Sequence, residues 1–455
     1  MKSVQRRQKS VQQEEQRRPD PVLGIIFPIL LVFLAFVFTG APELVGFLRS
    51  TRPVLFVGVM GLLAVAVTGK FMRVVQSPIG KVLTAFTIWF MICIPMAIWR
   101  GGSIQTFTDY WSKSFLAYVL VAGLVSTPQE ARKVFHTIAY SVGILALLSL
   151  AAHAYTEDGR LYLPNGRYAN SNDLAWTLLV GLIFLAYLYM DGNVFRKVVA
   201  AALAVPVLMA LQKTGSRALM VGAAMLILYA FIKSSGANRI KLLIVVPALM
   251  AVIIVTMPKE LLERYSTLFG KHVTQLSEAQ VDAAGSSETR LQLLKDSLYL
   301  TVVYPLFGVG PGNFQVAQND LAIKRGKAGG LWHVTHNSYT ELSCEVGIPG
   351  LLIYLIFLVQ CWRVLSSIMR KRYVSKDVRL MAKVLQAAFL VMAVVAFFES
   401  FAYDVNIPIV AGLITALSFI AQRQKPLKSA PRPEEAIPPA LPEPEYEPAW
   451  SGRLY

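Results

Sequence analysis

Two histidines, His333 and His336, stand in "LWHVTHNSYTELSCEVGIPG" (331–350), just ahead of an apolar run long enough to enter a bilayer. Ser338 and Glu341 have the S-x-x-E spacing of a capping box, which predicts a helix starting at Ser338, broken by Gly347 and Pro349 before the apolar run begins. His336 then sits just outside a helix N-terminus, where the partial positive charge disfavours imidazolium and favours a neutral ring that can accept a proton. That is the state a general base requires. Asn337 and Glu341 are the supporting polar residues beside it. Two competing readings are a histidine satisfied by local backbone, and a metal pair of His333 and His336 completed by Glu341 or Glu345. No further ligand cluster is evident nearby, so no metal is expected.

Three arginines supply complementary chemistry. Arg217, in "LQKTGSRALM" (211–220), heads an apolar helix, where lipid exposure of the charge is costly unless the side chain snorkels to the interface. Arg167 lies in the Gly- and Asn-rich "YLPNGRYANSNDLAW" (162–176), where simple solvation is the alternative. Arg290 heads an amphipathic stretch and could instead pair with Glu288 or Asp296 on its own helix. Guanidinium forks converging on one face suit an anion with several phosphate oxygens. Gly308, Gly310 and Gly312, in "YPLFGVGPGNF" (304–314), follow a helix rather than a strand, so the dinucleotide-binding fingerprint does not apply. They read as a turn, the alternative being backbone N–H groups offered to a phosphate.

What must position these residues is a membrane fold. The chain has 455 residues, of which 55% are hydrophobic and only 16% charged, which excludes a soluble globular domain. Apolar runs near 22–40, 53–69, 79–98, 115–126, 134–154, 174–190, 198–211, 218–232, 240–257, 346–362, 384–402 and 406–421 predict an all-α polytopic protein with about twelve transmembrane helices. Runs so uniformly apolar lack the alternation of a barrel. No small-residue cleavage site follows the first run, so it reads as a retained span.

Lys and Arg number about seventeen in the even-to-odd loops against about eight in the others, which places both termini in the cytoplasm and all four polar stretches outside. The net charge of +17 therefore reads as basic loops facing anionic membrane lipid, with no nucleic-acid surface. The predicted division is a basic tail (1–21), nine spans (22–257), a long extracytoplasmic loop carrying amphipathic helices (258–337), a short helix with three more spans (338–421) and a Pro-rich tail (422–455) that cannot bury a core and reads as disordered. Within the long loop, Leu291, Leu294, Leu298 and Val302 recur at helical spacing, ended by Pro305, and predict a helix lying on the membrane or on the bundle.

In their order and sidedness, "GRYANSNDLA", "TGSRA", the arginine heading the helix before "YPLFGVGPGNF", and "HNSYTELSCEVGIPGLL" resemble the bacterial O-antigen ligase and O-antigen or exopolysaccharide polymerase superfamily. The resemblance covers roughly 160–360 by motif and most of the chain by topology. It implies an inner-membrane glycosyltransferase that needs no metal or other cofactor. The implied partners are an undecaprenyl-diphosphate-linked glycan donor, a glycan or lipid A-core acceptor and other polysaccharide-assembly membrane proteins. It further implies His336 as catalytic base and Arg217, Arg290 and Arg167 as diphosphate ligands. His333 and the Pro-rich tail depart from the family pattern. The rival reading is a multispan transporter of a small solute or lipid-linked glycan, for which Glu399 and Asp404 are the candidate proton-coupling acids.

Overall fold

The computed structural model describes residues 21–425 apart from 45, 52, 258, 260 and 263–277. The predicted N-terminal tail, most of the Pro-rich tail and the start of the long loop lie outside the described residues. In chain order the principal helices are α1 (Pro21–Thr39), α2 (Pro53–Val67), the short α3 (Lys70–Val75), α4 (Pro78–Cys93), α5 (Ser112–Leu124), α6 (Pro128–Ala152), α7 (Ser171–Asp191) and α8 (Val194–Lys213). After them come α9 (Arg217–Lys233), α10 (Gly236–Thr256), α11 (Glu278–Val303), α12 (Phe314–Lys324), α13 (Ser338–Glu345), α14 (Gly347–Arg370), α15 (Lys376–Val395) and α16 (Asn406–Arg423).

Local chemistry explains the boundaries. Thr127 and Glu130 form a reciprocal capping box ahead of Pro128 at the start of α6, the Asn170 side chain caps α7, and Ser375 caps α15.

Each of the twelve apolar runs overlaps a helix, but the runs 79–98 and 384–402 outlast theirs: α4 ends at Cys93 and α15 at Val395, and the chain beyond each is irregular. Among the described residues, seven helices are long and apolar enough to cross a bilayer: α6, α7, α8, α10, α14, α15 and α16. Three runs fall on shorter apolar stretches, Ile26–Thr39, Pro53–Val67 and Pro78–Cys93, and two on α5 and α9, of 13 and 17 residues. The protein is a polytopic helical membrane protein.

Its centre is α16, α7 and α15. α16 packs on α5, α7 lies between α6 and α8, and α9 runs along α15. By contrast α10 buries no residue and sits at the rim.

Two local expectations are corrected. The long-loop helix extends over Glu278–Val303, and the residues it buries are Leu293, Asp296, Ser297 and Leu300, whereas Leu291, Leu298 and Val302 of the predicted stripe are exposed. Both faces are apolar; one meets protein and the other is left outward, where a bilayer surface would cover it. The helix at Ser338 forms, but without the expected capping box. Asn337 is its cap, accepting from the Tyr339 and Thr340 amides at 3.0 and 3.2 Å. Ser338 and Glu341 turn instead to the chain between α15 and α16, which lies against them.

Candidate active site

The ten residues 396–405, joining α15 to α16, are irregular and largely buried, and the candidate residues gather on them. Glu399, 4% exposed, is the centre. Its Oε2 lies 3.5 Å from His336 Nδ1, and its Oε1 lies 3.3 Å from Arg290 Nη2. Arg290 also donates to the Phe398 carbonyl at 3.3 Å. The sequence alternative in which Arg290 pairs along its own helix is thereby corrected. Asp296 is taken by Arg325 at 2.6 Å, and by Gln292 and Gln318, because its side chain turns inward where Arg290 turns toward Glu399.

His336 has φ +51, a left-handed backbone that a non-glycine residue adopts only where surrounding contacts hold it. Those contacts are evident on both sides. Thr335 Oγ1 bonds Ser400 Oγ at 2.9 Å, and Ser338 Oγ donates to the Glu399 carbonyl while accepting from the Phe401 amide, each at 2.7 Å. The ring is mostly enclosed, and its Nδ1 makes no hydrogen bond to any described residue. With a proton on Nδ1 facing the carboxylate, Nε2 is left as the acceptor. The His333 ring is 6.5 Å from His336, centroid to centroid. Glu341 and Glu345 do not join them, so the metal set weighed from sequence is not assembled.

Those two carboxylates instead fasten the framework. Glu341 accepts from the Ala402 amide at 3.3 Å. Glu345 accepts from the Gly312 and Phe314 amides at 2.8 and 3.1 Å and from Tyr403 Oη at 2.9 Å. Burial pushes the Glu345 carboxyl up to about 7 against the pull of these donors, and burial with the neighbouring Glu345 raises Glu341. The glycine-rich stretch is therefore a turn docked on α13. Its Val309 and Gly310 amides bond the Cys344 and Glu345 carbonyls, so these N–H groups are already satisfied. Gly308, Gly310 and Gly312 all have positive φ, and a Cβ on Gly308 would fall 2.3 Å from the Glu345 backbone.

Arg167 reaches the same segment from the other side. Its Nη2 meets Asp404 Oδ2 at 2.5 Å, and the Asn406 amide oxygen, in the orientation that satisfies its neighbours, accepts from it at 2.9 Å. Burial opposes the Arg167 charge, but Asp404, Tyr168 and Asp173 outweigh it and hold the guanidinium firmly protonated. The backbone of this loop is fixed by Glu43, which accepts from the Arg167 amide at 2.6 Å, and Trp176 stacks on Phe401 with centroids 4.7 Å apart.

Arg217 is the first residue of α9 and is half-buried. α9 and α15 are antiparallel, with Tyr229 bonded to Gln386 at 2.8 Å and Gly222 packed on Val391 and Val395. Five residues before Gly222, Arg217 stands about 7.5 Å further along the axis, level with the 396–405 segment. The turn before it has Gly215 at φ +59 and is tied to the loop 153–165 by Arg160, which donates to the Thr214 carbonyl at 2.8 Å and to Asn172 at 2.6 Å.

Sequence reasoning thus marked the histidine and the arginines but missed their organiser. Glu399 and Asp404 were weighed only as transport acids, and Arg160 was passed over. The available signal was "FFESFAYDVN" (397–406), two acids and two hydroxyls, Ser400 and Tyr403, between apolar helices.

No match was found among curated proteins. A family described as O-Antigen ligase matches residues 202–355, the stretch that holds Arg217, Arg290, the glycine-rich turn and His336. That match supports placing residues 202–355 of the chain in the O-antigen ligase superfamily.

Proposed function

We propose that the protein is a glycosyltransferase of cell-surface polysaccharide assembly that moves or polymerises an oligosaccharide from an undecaprenyl-diphosphate donor onto an acceptor hydroxyl at the periplasmic face, with inversion and without a metal. The family match supports the coarse class, an O-antigen ligase-type enzyme. The observation that carries the rest is the His336–Glu399–Arg290 chain at one end of the bundle, within a domain of that family.

In this reading Glu399 orients His336 through Nδ1, and Nε2 takes the proton from the acceptor hydroxyl. The oxygen attacks the anomeric carbon, the carbon–oxygen bond to phosphate breaks, and the lipid diphosphate departs with the electron pair. Arg217 and Arg290 stabilise its negative charge. Arg167, whose guanidinium is held by Asp404, braces the 396–405 segment rather than binding the donor. The basic loops lie at the opposite end, so the positive-inside rule turns this end toward the periplasm. Both acids on which a transporter reading depends are held by arginines, which removes its best support.

The test is the purified protein in liposomes with a lipid-linked glycan and an acceptor. New glycosidic bonds and released lipid diphosphate are expected. His336→Ala should lower the rate on the order of 10²- to 10⁴-fold while the protein remains folded in the membrane. Glycan crossing the bilayer without bond formation would make it a transporter. Arg217→Lys should be nearly as damaging as Arg217→Ala if the planar fork is what the diphosphate needs, whereas a point-charge role would tolerate Lys.

A further inference from the structure

The strap 330–336, which ends at His336, has its backbone fixed at both ends while several of its side chains are left outward. Gln315, Gln318 and Asn319 share one face of α12 and hold three successive strap residues. Asn319 Oδ1 accepts from the Gly330 amide at 2.9 Å, Gln318 Oε1 accepts from the Leu331 amide at 2.8 Å, and Gln315 Nε2 donates to the Trp332 carbonyl at 3.3 Å. Gln318 is itself anchored, because its Nε2 donates to the buried Asp296 carboxylate at 3.2 Å. The strap lies so close to α12 that a Cβ on Gly330 would fall 2.3 Å from Gln318 Oε1. At the other end Thr335 Oγ1 bonds Ser400 Oγ at 2.9 Å.

Trp332 has φ +54, so the strap carries a second non-glycine residue in the left-handed region besides His336. Strain of this kind persists only where contacts impose it, and it gathers at sites that bind or react. Yet the residue so fixed is 57% exposed, and Leu331, His333 and Val334 are exposed with it. A loop that only dips apolar side chains into lipid gains nothing from a backbone pinned residue by residue. A loop that receives a ligand does, because its ordering cost is met before binding.

The neighbour of the strap's side chains identifies the ligand. The His333 ring lies 6.5 Å from the His336 ring, centroid to centroid. In the function proposed above His336 Nε2 faces an acceptor hydroxyl, so the group bearing that hydroxyl must also lie against His333. An imidazole has at least one N–H donor in either protonation state. A sugar offers such a donor further hydroxyls around its rim, and offers an indole an apolar C–H face.

We propose that His333 and Trp332 form the acceptor subsite and that the acceptor is a glycan rather than a protein hydroxyl. His333 donates to a second hydroxyl of the sugar whose first hydroxyl faces His336, and the Trp332 indole covers the C–H face of the glycan where it runs along the strap. This rests on the transferase reading of His336 and adds to it the seat and chemical class of the acceptor.

The test is the liposome assay with saturating lipid-linked donor and, as varied acceptor, surface oligosaccharide released from the producing cells by mild acid. His333→Ala and Trp332→Ala should each raise the acceptor KM roughly tenfold with the donor KM unchanged, and Trp332→Phe, which keeps an aromatic face, should stay near the wild type. A second measurement needs no turnover. The three native cysteines are buried, so a water-soluble maleimide should label the Trp332→Cys protein at that position, and the oligosaccharide alone should slow the labelling. A wild-type acceptor KM in both alanine variants, or labelling that the oligosaccharide does not slow, overturns the subsite. Labelling in detergent but not in liposomes would mean that lipid covers the strap, and overturns it as well. Failure of the underlying reading looks different: the wild type would form no glycosidic bonds, or His336→Ala would keep the wild-type rate.

Discussion

The two ends of the bundle use the same charged residues under different physical conditions. At the His336 end the acids are buried: Glu399 and Asp404 have side chains 5% and 16% exposed, and each is met by an arginine from another part of the chain. At the other end Arg132 bridges Asp191 at 3.2 Å and Asp377 at 2.7 Å; Asp191 is as enclosed as the acids at the first end, at 10% exposed, but the arginine is 33% and Asp377 53% exposed. Exposed pairs contribute little because water screens them and long side chains lose freedom in forming them. Buried pairs cost several kcal/mol per ion to desolvate, and apolar packing of the same volume would often be as stable. The difference teaches that ionic groups enclosed in an otherwise apolar bundle are better explained by what they hold in place than by the stability they add. It also separates the expected effects of substitution at each end.

The largest effect should come from Glu399→Gln. Gln keeps the size and one acceptor oxygen but loses the charge that faces His336 Nδ1 and Arg290 Nη2. We expect kcat to drop by roughly 10²-fold or more, with little change in acceptor KM, in the liposome assay. A Glu399→Gln protein of normal kcat would mean that His336 works without its carboxylate, and the contrast between the ends would then be structural only.

Next is the Arg167–Asp404 pair. Arg167→Gln leaves the Asp404 carboxylate buried without its partner, and the expected loss of stability is about 3 kcal/mol. The double variant Arg167→Gln/Asp404→Asn should recover much of that loss, because no charge is then stranded. A denaturant series in detergent micelles measures both. Additive losses would show that the two side chains act separately, and the assignment of Arg167 as a brace would fall.

The parts of this arrangement that were legible in the sequence share a cause. Apolar runs announce helices because a bilayer leaves the backbone no other partner, so each run overlaps a helix, and seven of the described helices are long and apolar enough to cross a bilayer. His336 was legible because a polar cap followed by a Gly–Pro break precedes an apolar run. What sequence could not reveal is which distant backbone a side chain meets. Ser338 and Glu341 have the right spacing to cap their own helix, yet both are drawn to Glu399 and Ala402, some sixty residues away in sequence. The predicted stripe of α11 failed for a related reason: residues on both faces are apolar, and periodicity alone does not tell a protein-facing side from a lipid-facing one. Glu399 enters only the rival transporter reading, as a candidate proton-coupling acid, because an isolated acid near a span end looks the same whether or not an arginine from a distant helix meets it.

The smallest effect is expected at the opposite end, and it is the one that most directly checks the comparison. Arg132→Gln removes a guanidinium that touches two carboxylates, more contacts than Arg167 makes to acids. Counting contacts would therefore rank Arg132 as the more important residue. Burial ranks it lower, since Asp377 lies at the surface and the pair is screened, and the expected cost is about 0.5–1 kcal/mol with the transfer rate unchanged. Thermal unfolding in low and high salt separates the two rankings. A small destabilisation that shrinks further in high salt follows from screening, whereas a loss as large as that of Arg167→Gln and insensitive to salt would mean that the Asp191 side of the cluster, only 10% exposed, governs the energy.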